Sequence, residues 1–228
     1  MEVFNFVFNH SPKITSILIM ASFAVSILAW AGLISALDIY LNYSLIIKKF
    51  QIWRLFTTFF YFGEFNLSLV FTMYIFFRDS KILEKKVFQG KCDDYLFFIF
   101  FCMIFLLFFG IFNNILFLSS SLSYSIMYYW GRKSKNVKVE LMGLFELRAP
   151  YIPVFYLFIS FLLGYNYESV LYGIIVGHIY FFGRDILPRI KGLNGIRIET
   201  PVFVSKLCEM LDLNNDLIAE NEDGDMFF

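Results

Sequence analysis

Five serines, Ser119, Ser120, Ser121, Ser123 and Ser125, crowd the start of one apolar segment, and an imidazole, His178, sits in another. A serine hydroxyl activated by an imidazole is a nucleophile that can cleave peptides, and a third partner is not obligatory. His178 is the only imidazole in an apolar segment; His10 falls in the N-terminal stretch. Gly173 and Gly177, four residues apart, give the helix carrying His178 a flat face that a neighbouring helix can approach closely. Peptide cleavage also needs an oxyanion site, whose backbone donors lower the barrier by about 3 kcal/mol. The Gly-x-Ser-Gly setting that opens such a site is missing: the string is Ser119-Ser120-Ser121-Leu122, with a bulky Leu122 where a small residue is needed. The favoured reading is therefore packing. The serine hydroxyls bond to backbone carbonyls at a close helix contact, His178 is buried and hydrogen-bonded, and no residue is assigned as catalytic.

Two further groups stand out. Glu64 and Asn66, followed by Ser68, lie about nine residues into an apolar stretch, where polar groups are costly and tend to be functional. Either Gly63 loosens a segment that reaches water, or these groups meet a translocating polypeptide. Trp53-Arg54 opens the same stretch, and an indole beside a guanidinium is a common anchor at a membrane surface. The segment before it, from Asp38 to Phe50, alternates apolar and polar residues in a way that suits an element lying in one leaflet. No Cys/His cluster has metal-ligand spacing. Gly192-Leu193-Asn194-Gly195 lacks the Lys-Ser/Thr of a phosphate loop. No basic tract suggests nucleic acid, and no cofactor is expected.

The elements that must position these residues are membrane segments. Apolar residues make up 59% of the 228, Phe alone accounts for 32, and only 17% are charged, a composition that fits a polytopic membrane protein. Six spans are predicted: Ile14 to Leu37, Leu55 to Phe77, Tyr95 to Gly110, Ile115 to Trp130, Tyr151 to Gly164 and Ser169 to Gly183. Several are short for a hydrocarbon core that takes about 20 residues to cross; short spans either tilt little, thin the bilayer or sit beside other helices. Of the 19 Lys and Arg residues, sixteen fall in the N-terminal stretch, the loops 78–94 and 131–150, and the tail from Arg184. The other three, Lys48, Lys49 and Arg54, fall in the first loop. The bias places both termini and the two basic loops in the cytosol. Ala29-Trp30-Ala31 resembles a signal-peptide cleavage site, but the apolar run continues past it and Glu2 cancels Lys13, so the span reads as an uncleaved anchor. Cys92, Cys102 and Cys208 fall in a cytosolic loop, a span and the tail, so no disulfide framework is expected. The predicted organisation is a membrane domain over 1–190 and a cytosolic tail over 191–228, acidic and disordered at its end from Glu220 to Asp225. A channel or small transporter would need charges in several spans, and only Glu64 qualifies.

Ordered blocks along roughly residues 10–201 resemble the Derlin family, catalytically dead relatives of rhomboid proteases. They are Pro12-Lys13-Ile14-Thr15; Gln51-Ile52-Trp53-Arg54-Leu55-Phe56-Thr57-Thr58-Phe59 with Tyr61-Phe62-Gly63; Leu83-Glu84 and Phe88-Gln89-Gly90; Tyr128-Tyr129-Trp130 with Arg132-Lys133; Ala149-Pro150-Tyr151-Ile152-Pro153; and Gly173 to Phe182 with Asp185 and Pro188. The chain departs from the family at Gly131, where a polar residue is usual, and lacks the Gly-rich hydrophobic tail motif by which some members bind an ATPase. The resemblance implies an all-α, six-helix rhomboid-like bundle in the endoplasmic reticulum membrane. It implies a non-enzymatic role in degrading misfolded proteins, moving them to the cytosol along a lateral path in a locally thinned membrane. A membrane ubiquitin ligase complex and a cytosolic AAA ATPase are the implied partners, and homo- or hetero-oligomers are left open. Under this reading Trp53 and Arg54 brace the first loop, while Gly173, Gly177 and His178 pack the last helix. The alternative is an active rhomboid-type intramembrane serine protease using His178 and one of Ser119 to Ser125.

Overall fold

The computed structural model describes residues 12–141, 145–164, 166–190 and 198–210. His10, the glycine-rich stretch 192–195 and the acidic stretch 220–225 lie outside them. The chain is mostly helical. Helix α1 (Lys13–Trp30) is followed by three short helices, α2 (Ala36–Ile39), α3 (Tyr43–Lys49) and α4 (Arg54–Thr57). Then come α5 (Leu67–Ile82), which runs into a π-helical turn (Leu83–Val87), α6 (Cys92–Asn113) and α7 (Ser119–Lys133). Helices α8 (Ile152–Leu162), α9 (Tyr167–Phe181) and α10 (Val202–Met210) complete it, with α9 continuing through a π-helical turn (Phe182–Ile186) and a 3-10 turn (Leu187–Arg189). Among the described residues, three stretches are helical and apolar for long enough to cross a membrane: Lys13–Trp30, Cys92–Asn113 and Tyr167–Arg189.

The helices in the first two expected spans do not follow the apolar runs. Helix α1 ends at Trp30 rather than Leu37 because Gly32 turns left-handed, with φ of 71°. Ser35 and Asp38 then form a capping box that starts α2. The expected second span begins at Leu67 rather than Leu55. Gly63, with φ of 117°, breaks the backbone, and Asn66 caps the new helix by accepting from Leu69 N at 3.0 Å. Glu64 and Asn66 are thus in a loop before α5, not inside a helical span. The all-helical expectation also needs one correction. Strands β1 (Lys138–Leu141) and β2 (Phe145–Arg148) pair antiparallel in the loop before α8. In that loop Lys138-Val139-Glu140-Leu141 alternates polar and apolar residues with the period of a strand.

Helix α7 is the centre of the bundle. It packs most extensively against α9 and also meets α5, α6 and α8. Its far end joins an aromatic core: Phe98 lies 5.0 Å from Tyr129 and 4.8 Å from Tyr180 between ring centroids, and Phe88 stacks on Tyr129 at 5.6 Å. Around this core the outward faces are apolar as well, including Phe71 on α5, Phe108 and Phe112 on α6, and Phe158 and Phe161 on α8. Helices apolar on every face are those of a membrane interior.

Candidate functional site

The block from Gln51 to Thr58 holds the α1–α5 connection together. Arg54 is only 4% exposed. Its Nη1 donates to the carbonyls of Leu37, at 2.9 Å, and Tyr40, at 3.0 Å, and its Nε donates to Gln51 Oε1 at 2.7 Å. The guanidinium also lies 5.0 Å from the Tyr40 ring centre. A planar fork that serves two carbonyls and an amide is a job lysine cannot do. Thr57 donates to Ile39 O at 3.2 Å, and Thr58 to Leu116 O at 3.1 Å. The last contact ties the connection to the α6–α7 turn, where Leu41 N donates to the same Leu116 carbonyl at 2.9 Å. Trp53 contributes less: its Nε1 reaches Asp38 O at 3.4 Å, and 53% of the residue is exposed. The polar members of the block therefore act on one target, the backbone of residues 37–41 and 116. Trp53 mainly presents an indole to the surroundings.

The second constellation is the α7–α9 crossing. A methyl group at Gly173 would stand 2.6 Å from both the Ser121 carbonyl oxygen and Tyr124 Cβ; one at Gly177 would stand 3.0 Å from the Ser125 carbonyl oxygen. The two helix backbones touch here, as the glycine spacing predicts. Ser125 Oγ donates to Gly173 O at 2.9 Å, and Ser119 Oγ donates to Tyr61 O at 2.5 Å. Ser121 Oγ is buried and has no hydrogen-bond partner among the described residues. None of these serines bonds to His178, which shares a 2.7 Å hydrogen bond with the Tyr128 hydroxyl through Nδ1. His178 is hydrogen-bonded but exposed on the bundle exterior, not buried, because it follows Gly177 and so points past the contact face. The Ser–His arrangement required for a nucleophile is not assembled. Among the described residues no group of His, Cys, Asp or Glu is placed to hold a metal ion.

Glu84 is a structural carboxylate that the sequence reading passed over as part of a loop block. It is 2% exposed and caps α1 from the π-helical turn after α5. Its oxygens accept from Ile14 N at 3.2 Å, Thr15 N at 2.8 Å and Thr15 Oγ1 at 2.7 Å. Thr15 Oγ1 also contacts Ser80 Oγ at 3.0 Å, and Ser80 in turn bonds the Tyr95 hydroxyl. Burial pushes the Glu84 carboxyl above the usual carboxylate range, against the pull of the hydrogen bonds donated by Thr15 and Ile14. The only sequence signal is its pairing with Thr15 as two members of separate blocks; between Leu83 and two lysines it otherwise looks like a solvated charge. Near the same end, Arg184 pairs with Asp94 at 2.7 Å and Lys133 with Asp185 at 2.5 Å, so α9 is pinned to both α6 and α7. Ser205 donates to Asp93 at 3.2 Å and Thr200 bonds Asp94, so α10 packs on the start of α6.

The Der1-like family matches residues 11–202. A probable derlin-2 homolog of Dictyostelium discoideum is 33% identical over 209 residues, covering 89% of this chain and 82% of that protein. Derlin-2 of Oryza sativa subsp. japonica is 32% identical over 213 residues, with 88% and 84% covered, and Derlin-2.2 of Arabidopsis thaliana is 32% identical over 213 residues, with 88% and 86% covered. The matched region contains the Arg54 brace, the glycine crossing and the Glu84 cap, so this membrane protein belongs to the Der1-like family.

Proposed function

We propose that this chain is a non-catalytic component of endoplasmic-reticulum-associated degradation. It assists retrotranslocation of misfolded proteins to the cytosol by forming a lateral path in a locally thinned membrane. It works in the endoplasmic reticulum membrane with a membrane ubiquitin ligase complex and a cytosolic AAA ATPase. Six spans with both termini cytosolic complete the proposal, with α1, α5, α6, α7, α8 and α9 as the spans and the Arg54 loop facing the lumen. The observation that carries this reading is the family match across nearly the whole chain.

Two features of the geometry support it. Helix α8 has 11 residues, a length of about 16 Å. It falls short of a hydrocarbon core of about 30 Å, and a short helix favours a thinner bilayer around it. The non-catalytic reading is also supported by His178, whose Nδ1 pairs with the Tyr128 hydroxyl rather than with a serine of α7.

The test is a cycloheximide chase of a luminal misfolded reporter in cells lacking the native protein. Trp53→Ala with Arg54→Ala is expected to insert with normal topology and to slow reporter loss. An unchanged reporter half-life at normal protein levels would remove the pair from the functional account.

A further inference from the structure

A cavity of about 510 Å³ opens between the end of α1 and the loop before α5, beside the Arg54 brace. Three aromatic rings line it: Trp30, Tyr61 and Phe65, with Trp30 and Phe65 tilted at 46° and 6.0 Å apart between centroids. Glu64 supplies a carboxylate, exposed at the mouth and in no ion pair with any described residue. The Arg54 guanidinium is engaged with the Leu37 and Tyr40 carbonyls. Ser26 also lines the cavity. It lies four residues before Trp30, about 6 Å further along the helix, and its hydroxyl is buried without a hydrogen-bond partner among the described residues.

Aromatic faces beside a carboxylate are the chemistry that recognises a quaternary ammonium, which cannot donate a hydrogen bond and is held by ring quadrupoles and net charge. The groups are also ordered by depth. The cation-binding set lies at the end of α1, where a Trp sits at headgroup level, and the unpartnered donor lies one helical turn inward. A phosphocholine lipid has the same order, ammonium outermost and phosphate and ester oxygens below it. Exposed apolar side chains occur on the same two segments, Ile27 on α1 and Leu67 at the start of α5.

We propose that this cavity binds one choline phospholipid, with its trimethylammonium against Glu64, Trp30 and Phe65 and a phosphate or ester oxygen accepting from Ser26. The site rests on the geometry of the cavity and not on the retrotranslocation reading. A lipid held there would fix the bilayer surface against the loop before α5.

The full chain, purified in a maltoside detergent, can be offered phosphatidylcholine and phosphatidylglycerol with identical acyl chains and analysed by native mass spectrometry. One phosphatidylcholine should be retained, at least about tenfold more readily than phosphatidylglycerol. Glu64→Gln should abolish that preference, and Ser26→Ala should weaken retention of both lipids. Both variants should unfold at the wild-type temperature, because neither side chain has a partner to lose. Free phosphocholine should compete weakly, since it lacks the chains. Equal retention of the two lipids, or an unchanged preference in Glu64→Gln, would overturn the proposal. So would free phosphocholine binding as tightly as the lipid, which would make this a site for a soluble cation. A lysine-rich peptide that binds in a Glu64-dependent way while phosphatidylcholine does not would assign the cavity to polypeptide instead.

Discussion

Replacing Gly173 by Ala tests whether the α7–α9 crossing sets the stability of the bundle. The added methyl would lie 2.6 Å from the Ser121 carbonyl oxygen and 2.6 Å from Tyr124 Cβ, both fixed by helix backbone. Comfortable contact needs about 3.5 Å, so the helices must part by nearly 1 Å or rotate. Overpacking of this kind costs about 1–3 kcal/mol. Parting also stretches the 2.9 Å bond from Ser125 to Gly173 O, a further loss of about 1 kcal/mol. The sum, about 2–4 kcal/mol, corresponds to a fall in unfolding temperature of roughly 5–15 °C for a chain of this size. At Gly177 the closest approach is 3.0 Å, and Tyr128 next to it can rotate, so Gly177→Ala should cost about half as much. His178→Gln, on the exterior, should cost least. The assay is the temperature at which each purified variant leaves the monodisperse peak in size-exclusion chromatography, read beside its abundance in cells. A Gly173→Ala protein that melts with wild type, or one more stable than Gly177→Ala, would refute the close-contact argument.

Other consequences are as direct. Acceptor tags for N-glycosylation at either terminus should stay unmodified while one near Asn42 is modified; a glycosylated C-terminal tag would sink the six-span arrangement. An active-site fluorophosphonate should not label the protein, and labelling that vanishes in Ser121→Ala would restore the protease reading. Glu84→Ala leaves the Ile14 and Thr15 N–H groups buried without their acceptor, and should destabilise by roughly 2–5 kcal/mol, while Glu84→Gln keeps one acceptor and should cost less. Because burial raises the Glu84 carboxyl in the folded state, its contribution is full below the unfolded carboxylate range and declines as pH rises through the raised value. Wild-type unfolding temperature should therefore gain on mild acidification relative to Glu84→Gln, and parallel pH profiles for the two proteins would contradict that sign.

Composition and ordered blocks identify the helical membrane class because both depend on residue type alone. Element ends were less legible. The second apolar run reads as one span from Leu55, yet a single backbone angle at Gly63 and the cap at Asn66 delay the helix to Leu67. Hydrophobicity does not register such a break, since Phe59, Tyr61 and Phe65 are as apolar as a helix requires. Trp53 and Arg54 are visible as a pair, but their division of labour is not. Arg54 is buried on carbonyls 14 and 17 residues away in sequence, a contact that no local pattern encodes. The glycine spacing does encode the close α7–α9 contact. It does not encode that His178, one residue on, points outward to Tyr128. Glu84 was missed for a similar reason: its partners at Ile14 and Thr15 lie 70 and 69 residues away, so its charge looks like that of the lysines beside it.

The serine-rich character of α7 has a consequence for how the protein is made. With five serines among its 15 residues, α7 is less apolar than α6 and takes its polar contacts from neighbouring segments. Its main packing partner, α9, starts at Tyr167, about 35 residues after Lys133. At about 5–20 residues per second, synthesis leaves the face of Ser121 and Ser125 without Gly173 for several seconds. During that interval the Gly173 carbonyl that accepts from Ser125 has not been made, and the face of α7 that α9 covers stays open to the rest of the nascent chain.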